Sequence, residues 1–447
     1  MSRHSIVISL LLASSPLVAA GTPEVEWIAA GGGAKSDKTR AICFDRAGNV
    51  FLAGEMSEGG KFGAIEVKSG GSTDFFIAKL DPQGHFLWAH QLGGKLVDRG
   101  YGVATDPAGN AYVTGHYQSV DAVADGRTLP NAGDYDIFVA KYDPEGKLLW
   151  VQTAGGKGYD YGHGIAVDGN GDVVVTGAIA SAAKFGEVTA GGDGRPIFCA
   201  KYSSDGTLKW VKTTSGKASG SGHGIAVDGS NHIYIGGSVS GEGMFGKQPV
   251  SAKGQAAIVA KLSPEGEALW VTTTIGGGAH EIAADAEGRV WLAGMFKGSM
   301  TLGKATYSST GDKDNDGFLA HFDTHGALQW SRVIQGPAVD YCLGVATDGE
   351  GTSFVCGEFT ETAAFAGQSL TSRGATDIQI GALDEMGKLL WLTQVGGTKG
   401  DNAYTMAYHP DGHLAIGGAC VAPATFGEKA LSVSGGADCY GAKVRVK

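Results

Sequence analysis

The chain is short of positive charge, of proline and of long apolar runs. Its 447 residues include 35 lysines and arginines against 46 aspartates and glutamates, so the formal net charge is −11. Nucleic acids and anionic membranes attract clustered lysine and arginine, and this balance therefore argues against both as main partners. Only 12 prolines are present and 43% of the residues are hydrophobic, which is a globular rather than a disordered composition.

One apolar run does stand out, and it lies at the N-terminus. Arg3 precedes the apolar residues 6–13, and small residues then lead to Gly21. This order of basic, apolar and small residues is typical of a secretory signal peptide, and the run is too short to span a bilayer. We therefore predict a signal peptide at residues 1–20, followed by a single domain at residues 21–447 with no membrane insertion.

Cysteine is also scarce, with six residues in the chain. Cys342 and Cys356 flank one predicted hairpin symmetrically, and Cys420 and Cys439 end and begin neighbouring predicted strands. Both pairs are candidate disulfides in an oxidising compartment. Buried free thiols are expected at the two remaining positions, Cys43 and Cys199.

What the chain does have is glycine, with 75 residues, and an internal repeat. Tryptophan recurs every 60 to 62 residues, and a short segment ending in glycine follows each one. The seven repeated tryptophans are Trp27, Trp88, Trp150, Trp210, Trp270, Trp330 and Trp391. The spacing predicts seven tandem units of one architecture.

Each unit predicts four β-strands. Residues 164–168 and 172–177 are apolar runs separated by a Gly-Asn-Gly turn, which is typical of a hairpin. Residues 136–142 and 147–153 predict the third and fourth strands of the preceding unit, and the fourth contains the tryptophan. Several of these runs are apolar on both faces, as in sheets that are covered on both sides.

Units of this kind must stack on their neighbours, and radial stacking gives a β-propeller. The chain begins with a tryptophan strand at residues 25–30 and ends after a third strand at residues 438–446. We therefore predict an all-β, seven-bladed β-propeller with four antiparallel strands per blade. The N-terminal strand would complete the last blade and close the ring, which leaves no open edge.

The repeat is longer than the roughly 40–45 residues of a WD40 blade. The additional length lies between the second and third strands, and most of these insertions carry an apolar residue followed by glycine. The pairs begin at Phe62, Phe185, Phe245, Leu302 and Phe426. We interpret them as anchors that pin each long loop to its blade. The face that carries these loops is the candidate binding face.

Three motifs together resemble a known repeat. They are D-I-F-V-A-K-Y at residues 136–142, D-x-x-G-x-L-x-W at residues 143–150 and G-I-A-V-D at residues 164–168. They resemble the seven-bladed β-propeller repeat (SBBP) of bacterial secreted and surface proteins, over nearly the whole chain after the signal peptide. The resemblance implies a propeller in the bacterial periplasm or outside the cell. It implies no activity, because that family shares no catalytic motif.

The D-x-x-G-x-x-x-W spacing at residues 143–150 also resembles part of the tryptophan motif of quinoprotein dehydrogenases. Those enzymes usually have eight blades and an adjacent disulfide pair beside the quinone, and this chain lacks such a pair.

One position at the start of each first strand varies between units. It is occupied by Arg40, Tyr101, His163, His223, His280, Leu343 and Tyr404. In a propeller these residues would line the mouth of the central channel, so the six polar or aromatic ones are candidate ligand-binding residues. Three consecutive histidines could also bind a metal. The alternative is that the position favours a medium-sized ring that packs near the axis.

Aspartates recur at two positions of the unit. They precede the first strand at Asp37, Asp98, Asp160, Asp340 and Asp401, and they open the third strand at Asp74, Asp136, Asp316, Asp377 and Asp438. Short acidic side chains commonly accept hydrogen bonds from nearby backbone, so we interpret these residues as loop clamps rather than catalysts.

One acidic segment, D-K-D-N-D-G at residues 312–317, matches the start of a calcium loop. Asp312, Asp314 and Asp316 are therefore candidate metal ligands, with Ca²⁺ as the candidate cofactor. The alternative is a solvated acidic loop, because the twelfth position of the motif holds Asp323 instead of glutamate.

The leading functional interpretation is a secreted, non-catalytic binding or scaffold propeller, monomeric, with a protein or polysaccharide partner on the long-loop face. No triad signature and no phosphate-binding loop is evident in the sequence. The alternative is an enzyme at the channel mouth, either a quinoprotein-like oxidoreductase or a carbohydrate-active lyase or hydrolase. Asymmetric polar residues at the channel distinguish the two classes, and the histidine cluster is the candidate for such asymmetry.

Overall fold

The computed structural model describes residues 23–192, 194–311, 314–421 and 423–447. These ranges contain β-strands and no helix, and hence no helix with the length and apolarity of a membrane span. The chain is an all-β protein of antiparallel sheets. The predicted signal peptide at residues 1–20 lies outside the described residues.

The repeating element is a four-stranded antiparallel meander. In one repeat, Asp98–Thr105 pairs with Ala111–Tyr117, which pairs with Asp136–Tyr142, which pairs with the tryptophan-bearing Leu148–Gly155. The middle two strands are buried on both faces, as their apolar sequences predict. We name the four strands inner, second, third and outer in this order.

The same order recurs along the chain. The inner strands are Lys38–Phe44, Asp98–Thr105, Tyr161–Val167, Ser219–Val227, Gly278–Ala284, Asp340–Thr347 and Asp401–His409. The second strands are Val50–Met56, Ala111–Tyr117, Val173–Ala178, Ile233–Phe245, Val290–Lys297, Ser353–Phe359 and His413–Cys420. The third strands are Asp74–Leu80, Asp136–Tyr142, Ile197–Tyr202, Gln248–Leu262, Asn315–Phe322, Asp377–Leu383 and Asp438–Arg445. The outer strands are Glu24–Gly32, Phe86–Gly93, Leu148–Gly155, Leu208–Gly216, Ala268–Thr273, Leu328–Gln335 and Leu389–Gly397.

An Asp-x-x-Gly turn joins third and outer strands. The Asp143 carboxylate accepts hydrogen bonds from the backbone N–H of Glu145 at 3.1 Å and of Lys147 at 2.8 Å. Gly146 has φ of 88°, a left-handed conformation that glycine adopts without steric cost. Three further aspartates make the same pair of bonds, namely Asp81, Asp323 and Asp384.

The tryptophan of each outer strand holds its repeat to the next one. Trp88 Nε1 donates a hydrogen bond to the carbonyl of Pro144 at 3.0 Å, in the turn of the following repeat. The indole lies against Gly146, where a Cβ would stand 2.8 Å from the ring. Equivalent bonds are donated by Trp27, Trp150, Trp270 and Trp330. In this chain the D-x-x-G-x-x-x-W spacing therefore serves packing between repeats.

The long insertions form small hairpins. The hairpin of Ala183–Phe185 and Val188–Ala190 pairs with the outer strand Leu148–Gly155 of the preceding repeat. The other hairpins are Gly60–Phe62 with Ile65–Val67, Val123–Ala124 with Arg127–Thr128, Ser299–Leu302 with Ala305–Ser308, Thr362–Phe365 with Gln368–Thr371, and Ala424–Phe426 with Lys429–Leu431. The apolar anchors are buried as predicted. Anchor rings pack on their own repeat, as Phe62 does on Phe76 and Phe185 on Phe198. The hairpin backbone pairs with the preceding repeat and covers an edge that would otherwise be exposed.

The two ends of the described chain meet in one sheet. Glu24–Gly32 pairs with Asp438–Arg445, from Glu24 opposite Arg445 to Gly31 opposite Cys439. Successive inner strands contact one another, and Lys38–Phe44 contacts both Asp98–Thr105 and Asp401–His409.

The two predicted disulfides are wrong. Cys342 and Cys356 are both free thiols, as are Cys420 and Cys439. Cys342 lies opposite Gly357, one residue beyond Cys356, because a bulge shifts the register of that hairpin. Cys439 lies opposite Ala419, again one residue from its expected partner. Successive side chains of a strand point to opposite faces, so each pair is divided between two different cores.

Free thiols are found at the remaining two positions, as predicted. Cys199 is fully buried and Cys43 is partly buried.

Candidate functional site

Every inner strand contains a β-bulge, and the bulge falls on the variable position. In the first inner strand, Thr39 pairs with Gly54 and Ala41 with Ala53, so Arg40 has no opposite residue. The unpaired residues of the other inner strands are Tyr101, His163, His223, His280, Leu343 and Tyr404. Bulges re-aim a side chain without ending the strand, and here they direct the variable residue of each repeat toward the axis.

Glycine follows the bulge in several repeats because the next inner strand approaches closely. A Cβ on Gly102 would lie 2.6 Å from the carbonyl oxygen of His163, and one on Gly164 would lie 2.8 Å from that of His223. Contacts this short are essentially forbidden, so glycine is required at Gly102 and Gly164. The equivalent position holds a larger residue in three other repeats, namely Ala41, Glu281 and Thr405.

The bulge residues surround a cavity of about 110 Å³. Its lining residues are Arg40, Tyr101, His163, His223, His280, Glu281 and Tyr404. All six candidate ligand-binding residues are thus brought together. The seventh bulge residue, Leu343, is buried. The bulges lie at the start of the inner strands, the same sheet edge as the insertions between second and third strands. We call this edge the loop face.

The histidines form a row on one side of the cavity. The ring centroids of His163 and His223 are 5.1 Å apart, and those of His223 and His280 are 6.3 Å apart. His223 Nδ1 is 2.9 Å from the carbonyl oxygen of Ala279, and His280 Nδ1 is 3.0 Å from that of Leu343. A carbonyl oxygen only accepts, so both Nδ1 atoms carry the proton and Nε2 of each neutral ring is left as an acceptor.

Burial keeps these imidazoles neutral. It lowers the pKa of His280 to about 4, aided by the neighbouring His223, and it lowers the pKa of His223 itself. The pKa of His163 lies well below its usual range because of burial and the nearby His223 and His116. At neutral pH the row offers uncharged hydrogen-bonding groups rather than positive charge.

The opposite side of the cavity carries charge. The Arg40 guanidinium lies 4.8 Å from the ring centroid of Tyr404 and 5.8 Å from that of Tyr101. It donates a hydrogen bond to Glu55 at 2.8 Å, and Arg99 Nε is 2.6 Å from the same carboxylate. Burial acts to raise the pKa of Glu55, but the two guanidinium charges outweigh it and the pKa is lowered. Glu55 therefore stays ionised and fixes both arginines.

Sequence reasoning missed Glu281. It follows the bulge residue His280, at the position where Gly102, Gly164 and Gly224 stand in other repeats. Burial raises its pKa to about 7, against one hydrogen bond from the backbone N–H of Ile282 at 3.1 Å. A carboxyl at a position that is glycine in four of the seven repeats is the signal that could have found it, because no other repeat has a charged residue there.

The structure places the predicted calcium ligands only in part. Asp314 and Asp316 are described, whereas Asp312 lies outside the described residues. Asp316 is buried and accepts hydrogen bonds from the backbone N–H of Thr310 and from Gln335. Among the described residues, no three histidine, cysteine or acidic side chains are close enough to hold a metal ion, whether here or in the histidine row.

The recurring aspartates clamp loop backbone, as predicted. Asp160 accepts hydrogen bonds from the N–H of Gly156 and of Ala180, both at 2.7 Å. Asp37 does the same with Gly33 at 2.8 Å and Ser57 at 2.7 Å.

A larger open groove of about 880 Å³ lies where Glu24–Gly32 meets the hairpin of residues 60–67. Its lining combines glycine backbone with side chains of both charges, which are Lys61, Lys68, Glu58, Glu66 and Asp438. The smaller axial cavity, by contrast, gathers the side chains that differ from repeat to repeat. It is therefore the candidate site.

Comparison with known proteins supports the architecture. Residues 87–116 match the family model described as the beta-propeller repeat, SBBP. The chain carries an SBBP propeller repeat. This match covers the outer strand of one repeat and the inner and second strands of the next, and so includes the bulge residue Tyr101 of the propeller.

A curated relative is an uncharacterized WD repeat-containing protein of Acanthamoeba polyphaga mimivirus. The two are 22% identical, over 73% of this chain. The chain spans only 30% of the length of that relative.

Three solved structures show a distant similarity to this chain. The hydrazine synthase of Kuenenia stuttgartiensis is 10% identical with a TM-score of 0.48, covering 86% of this chain and 93% of that one. The Dos1 propeller is 12% identical with a TM-score of 0.46, covering 96% and 95%. A Bacteroides caccae protein of unknown function is 10% identical with a TM-score of 0.38, covering 71% and 89%. Likenesses this distant carry no argument about activity.

Proposed function

We propose that this chain is a secreted, seven-bladed β-propeller that acts as a non-catalytic interaction scaffold and holds a protein or glycan partner on its loop face. The single domain would comprise residues 21–447, and the ring would be closed by Glu24–Gly32. The observation that carries the proposal is the contrast between the repeated parts of the molecule and the residues around its axis. Backbone, tryptophan contacts and aspartate clamps repeat around the molecule, whereas the bulge residues and Glu281 do not.

The closed ring is supported by the pairing of the first and last described strands and by the contacts of Lys38–Phe44 with inner strands from both ends of the chain. A ring of this kind gives a rigid platform with one unique site. The WD repeat in the name of the viral relative is also a propeller repeat, which favours a platform for partners.

The cavity suits a polar group with several hydrogen-bonding atoms. Its walls offer Nε2 acceptors from His223 and His280, hydroxyls from Tyr101 and Tyr404, and the guanidinium of Arg40. A volume of about 110 Å³ admits one protruding group of a larger partner rather than a whole macromolecule. A sugar ring substituent or a polar side chain of a bound loop has the matching chemistry.

The test is a glycan array together with affinity capture from the medium in which the protein is secreted, using the mature chain. Binding of one glycan class or one stoichiometric protein supports the proposal. The purified protein is analysed in parallel for metal and quinone. A stoichiometric cofactor would contradict the scaffold proposal and favour an enzyme.

A second candidate, a carbohydrate-active enzyme, is favoured by Glu281 alone. A buried carboxyl with a pKa of about 7 is suited to donate and accept a proton near neutral pH. Release of reducing sugar from a polysaccharide panel, abolished by Glu281→Gln, would establish this alternative.

A further inference from the structure

Buried aspartates meet in pairs between repeats. One member opens the third strand of a repeat and the other opens the inner strand of the next repeat, and all ten side chains are buried. The five pairs are Asp74 with Asp98, Asp136 with Asp160, Asp316 with Asp340, Asp377 with Asp401, and Asp438 with Asp37.

The two members occur together or not at all. At the two other junctions the equivalent positions hold Pro196 with Gly220 and Ala256 with Gly277. If each aspartate served only to clamp its own loop, single members would be expected somewhere in the chain. Their joint presence and joint absence indicate that the pair is the unit.

At two junctions both carboxyl groups of a pair lie close to one glycine. A Cβ on Gly93 would stand 2.1 Å from Asp74 Oδ1 and 2.9 Å from Asp98 Oδ2. At Gly32 the corresponding distances are 3.2 Å to Asp438 Oδ1 and 2.6 Å to Asp37 Oδ2. Two carboxyl groups this close in a buried space repel one another when both are ionised.

The hydrogen bonds within a pair are unequal. Asp98 accepts from the N–H of Gly94 at 2.8 Å, the N–H of Gln118 at 2.9 Å and the hydroxyl of Ser119 at 2.7 Å. Asp74 accepts from Gly70 at 2.6 Å through Oδ2, while its buried Oδ1 has no partner. The same unpartnered Oδ1 recurs in Asp136, Asp316 and Asp438, and Asp340 Oδ2, in the pair with Asp316, also lacks a partner. At the fifth junction it belongs to Asp401.

We infer that such a pair, as at Asp74 and Asp98, holds one proton shared between its two carboxyl groups, with the unpartnered oxygen as donor and the other carboxylate as acceptor. The junction of Asp316 and Asp340 is left out, because Asp316 is a candidate metal ligand. A buried ionised oxygen without a partner is costly, and protonation turns it into a donor that faces an acceptor. A metal ion would need further oxygen ligands, whereas the atoms around Asp98 are N–H and O–H donors. A shared proton gives the unpartnered oxygen a hydrogen-bonding role, and its loss at higher pH places two like charges between neighbouring repeats.

Other charged or titratable groups face some of the pairs. Glu55 and Cys439 lie near Asp37, Arg195 near Asp160, Asp314 near Asp316 and Asp340, Cys420 near Asp401, and Tyr117 near Asp98 and Asp136. Near the pair of Asp74 and Asp98 lie Tyr117 and the neutral side chains of Ser69, Gln91 and Ser119. It is therefore the junction at which the proton is best isolated.

The fold is expected to lose stability as the pH rises, because the folded state binds the shared proton more tightly than the unfolded chain does. Burial and the paired charge raise the pKa of Asp37 and Asp136 to about 6, against about 3.9 in an unfolded chain. The pairs therefore stabilise the fold fully below about pH 4, and this contribution is lost as pH rises through about 6.

Asp74→Asn is the informative variant, because the amide N–H of asparagine can donate the hydrogen bond of the shared proton but does not titrate. Proton release on unfolding is measured at pH 5 by calorimetry in buffers of different ionisation enthalpy. We expect Asp74→Asn to release about one proton fewer than the wild type. We also expect its Tm to exceed that of the wild type by more at pH 8 than at pH 5. The control, Asp134→Asn, changes an exposed aspartate and leaves both quantities at their wild-type values.

An unchanged proton release in a folded Asp74→Asn would overturn the inference. Should that variant fail to fold, infrared spectra of the wild type, labelled with ¹³C at aspartate only, decide the question. A protonated-carboxyl band at pH 5 that disappears above neutral pH supports the shared protons. Absence of this band at pH 5 would mean that the pairs are fully ionised and would overturn the inference of shared protons.

Discussion

The outer half of each repeat and its axial edge follow opposite rules. At the outer half, indoles of successive repeats donate to the turn of the next repeat, and Trp88 with Pro144 matches Trp330 with Glu385. At the axis, one structural position is Arg40 in one repeat and His163 in another. This difference separates the residues that maintain the architecture from those that can vary and define a site. A binding surface requires residues that vary between repeats, and such residues are gathered on the loop face.

The largest effect is expected where the repeated half is broken. Trp88→Ala removes a half-buried indole that packs against Phe51 and Tyr142 and donates to Pro144. Large-to-small substitutions of aromatic residues cost about 3–5 kcal/mol in a well-packed core, and the partly exposed Trp88 should fall near about 3 kcal/mol. Denaturant unfolding measures the loss. A loss below about 1 kcal/mol would mean that the indole contacts do not hold the repeats together.

The next effect concerns the close approach of inner strands. Gly102→Ala places a methyl group 2.6 Å from the carbonyl oxygen of His163, so the two strands must separate. We expect a loss of about 1–3 kcal/mol, the usual range for overpacking. Gly192→Ala is the matched control, since a Cβ there meets nothing within 4 Å. Equal stability of the two variants would show that the inner strands tolerate a wider spacing.

A smaller effect is expected from the residue that breaks the repeat at the axis. Glu281 has a pKa raised to about 7 by burial, so the stability it contributes is present at low pH and is lost as pH rises through 7. Glu281→Gln cannot ionise, and its Tm should therefore exceed the wild-type value at pH 8 but not at pH 5. Glu287→Gln, at an exposed position, serves as control. A Tm difference that is the same at both pH values would show that the Glu281 carboxylate is solvated and would contradict its raised pKa.

The smallest effect is expected from reducing agent. All six cysteines are free, so dithiothreitol should leave the Tm unchanged, and alkylation of the unfolded, unreduced chain should modify every cysteine. Fewer than six modified thiols, counted by mass spectrometry, would indicate that a disulfide is present.

The sequence predicts the repeated features well because each has a local signal. The spacing of tryptophans, the Asp-x-x-Gly turns and the buried anchors such as Phe185 follow from period, turn chemistry and hydrophobicity. The candidate site was also found, because aligning the repeats isolates the position of Arg40 and His163. What the alignment does not contain is the bulge that turns these side chains toward the axis.

The errors have the same origin. A bulge shifts the register by one residue, and one residue moves a side chain to the opposite face of the sheet. Cys342 and Cys356 were therefore assigned to one face although they lie on two. The pairing of Ala183–Phe185 with Leu148–Gly155 was not predicted, because it joins segments that the repeat boundary separates. Long-range pairing of this kind leaves no mark in the local sequence.

The central claim is that the unique residues around the axial cavity, and not the repeated surface, hold the partner. It is tested most directly by repeating the glycan array and the affinity capture with the double variant Tyr101→Ala/His163→Ala and with Glu145→Ala, which alters an exposed turn at the opposite sheet edge. The account predicts that the double variant loses the wild-type signal while remaining folded by circular dichroism, and that Glu145→Ala retains it. Loss of the signal only in Glu145→Ala, or wild-type binding by the folded double variant, would contradict it.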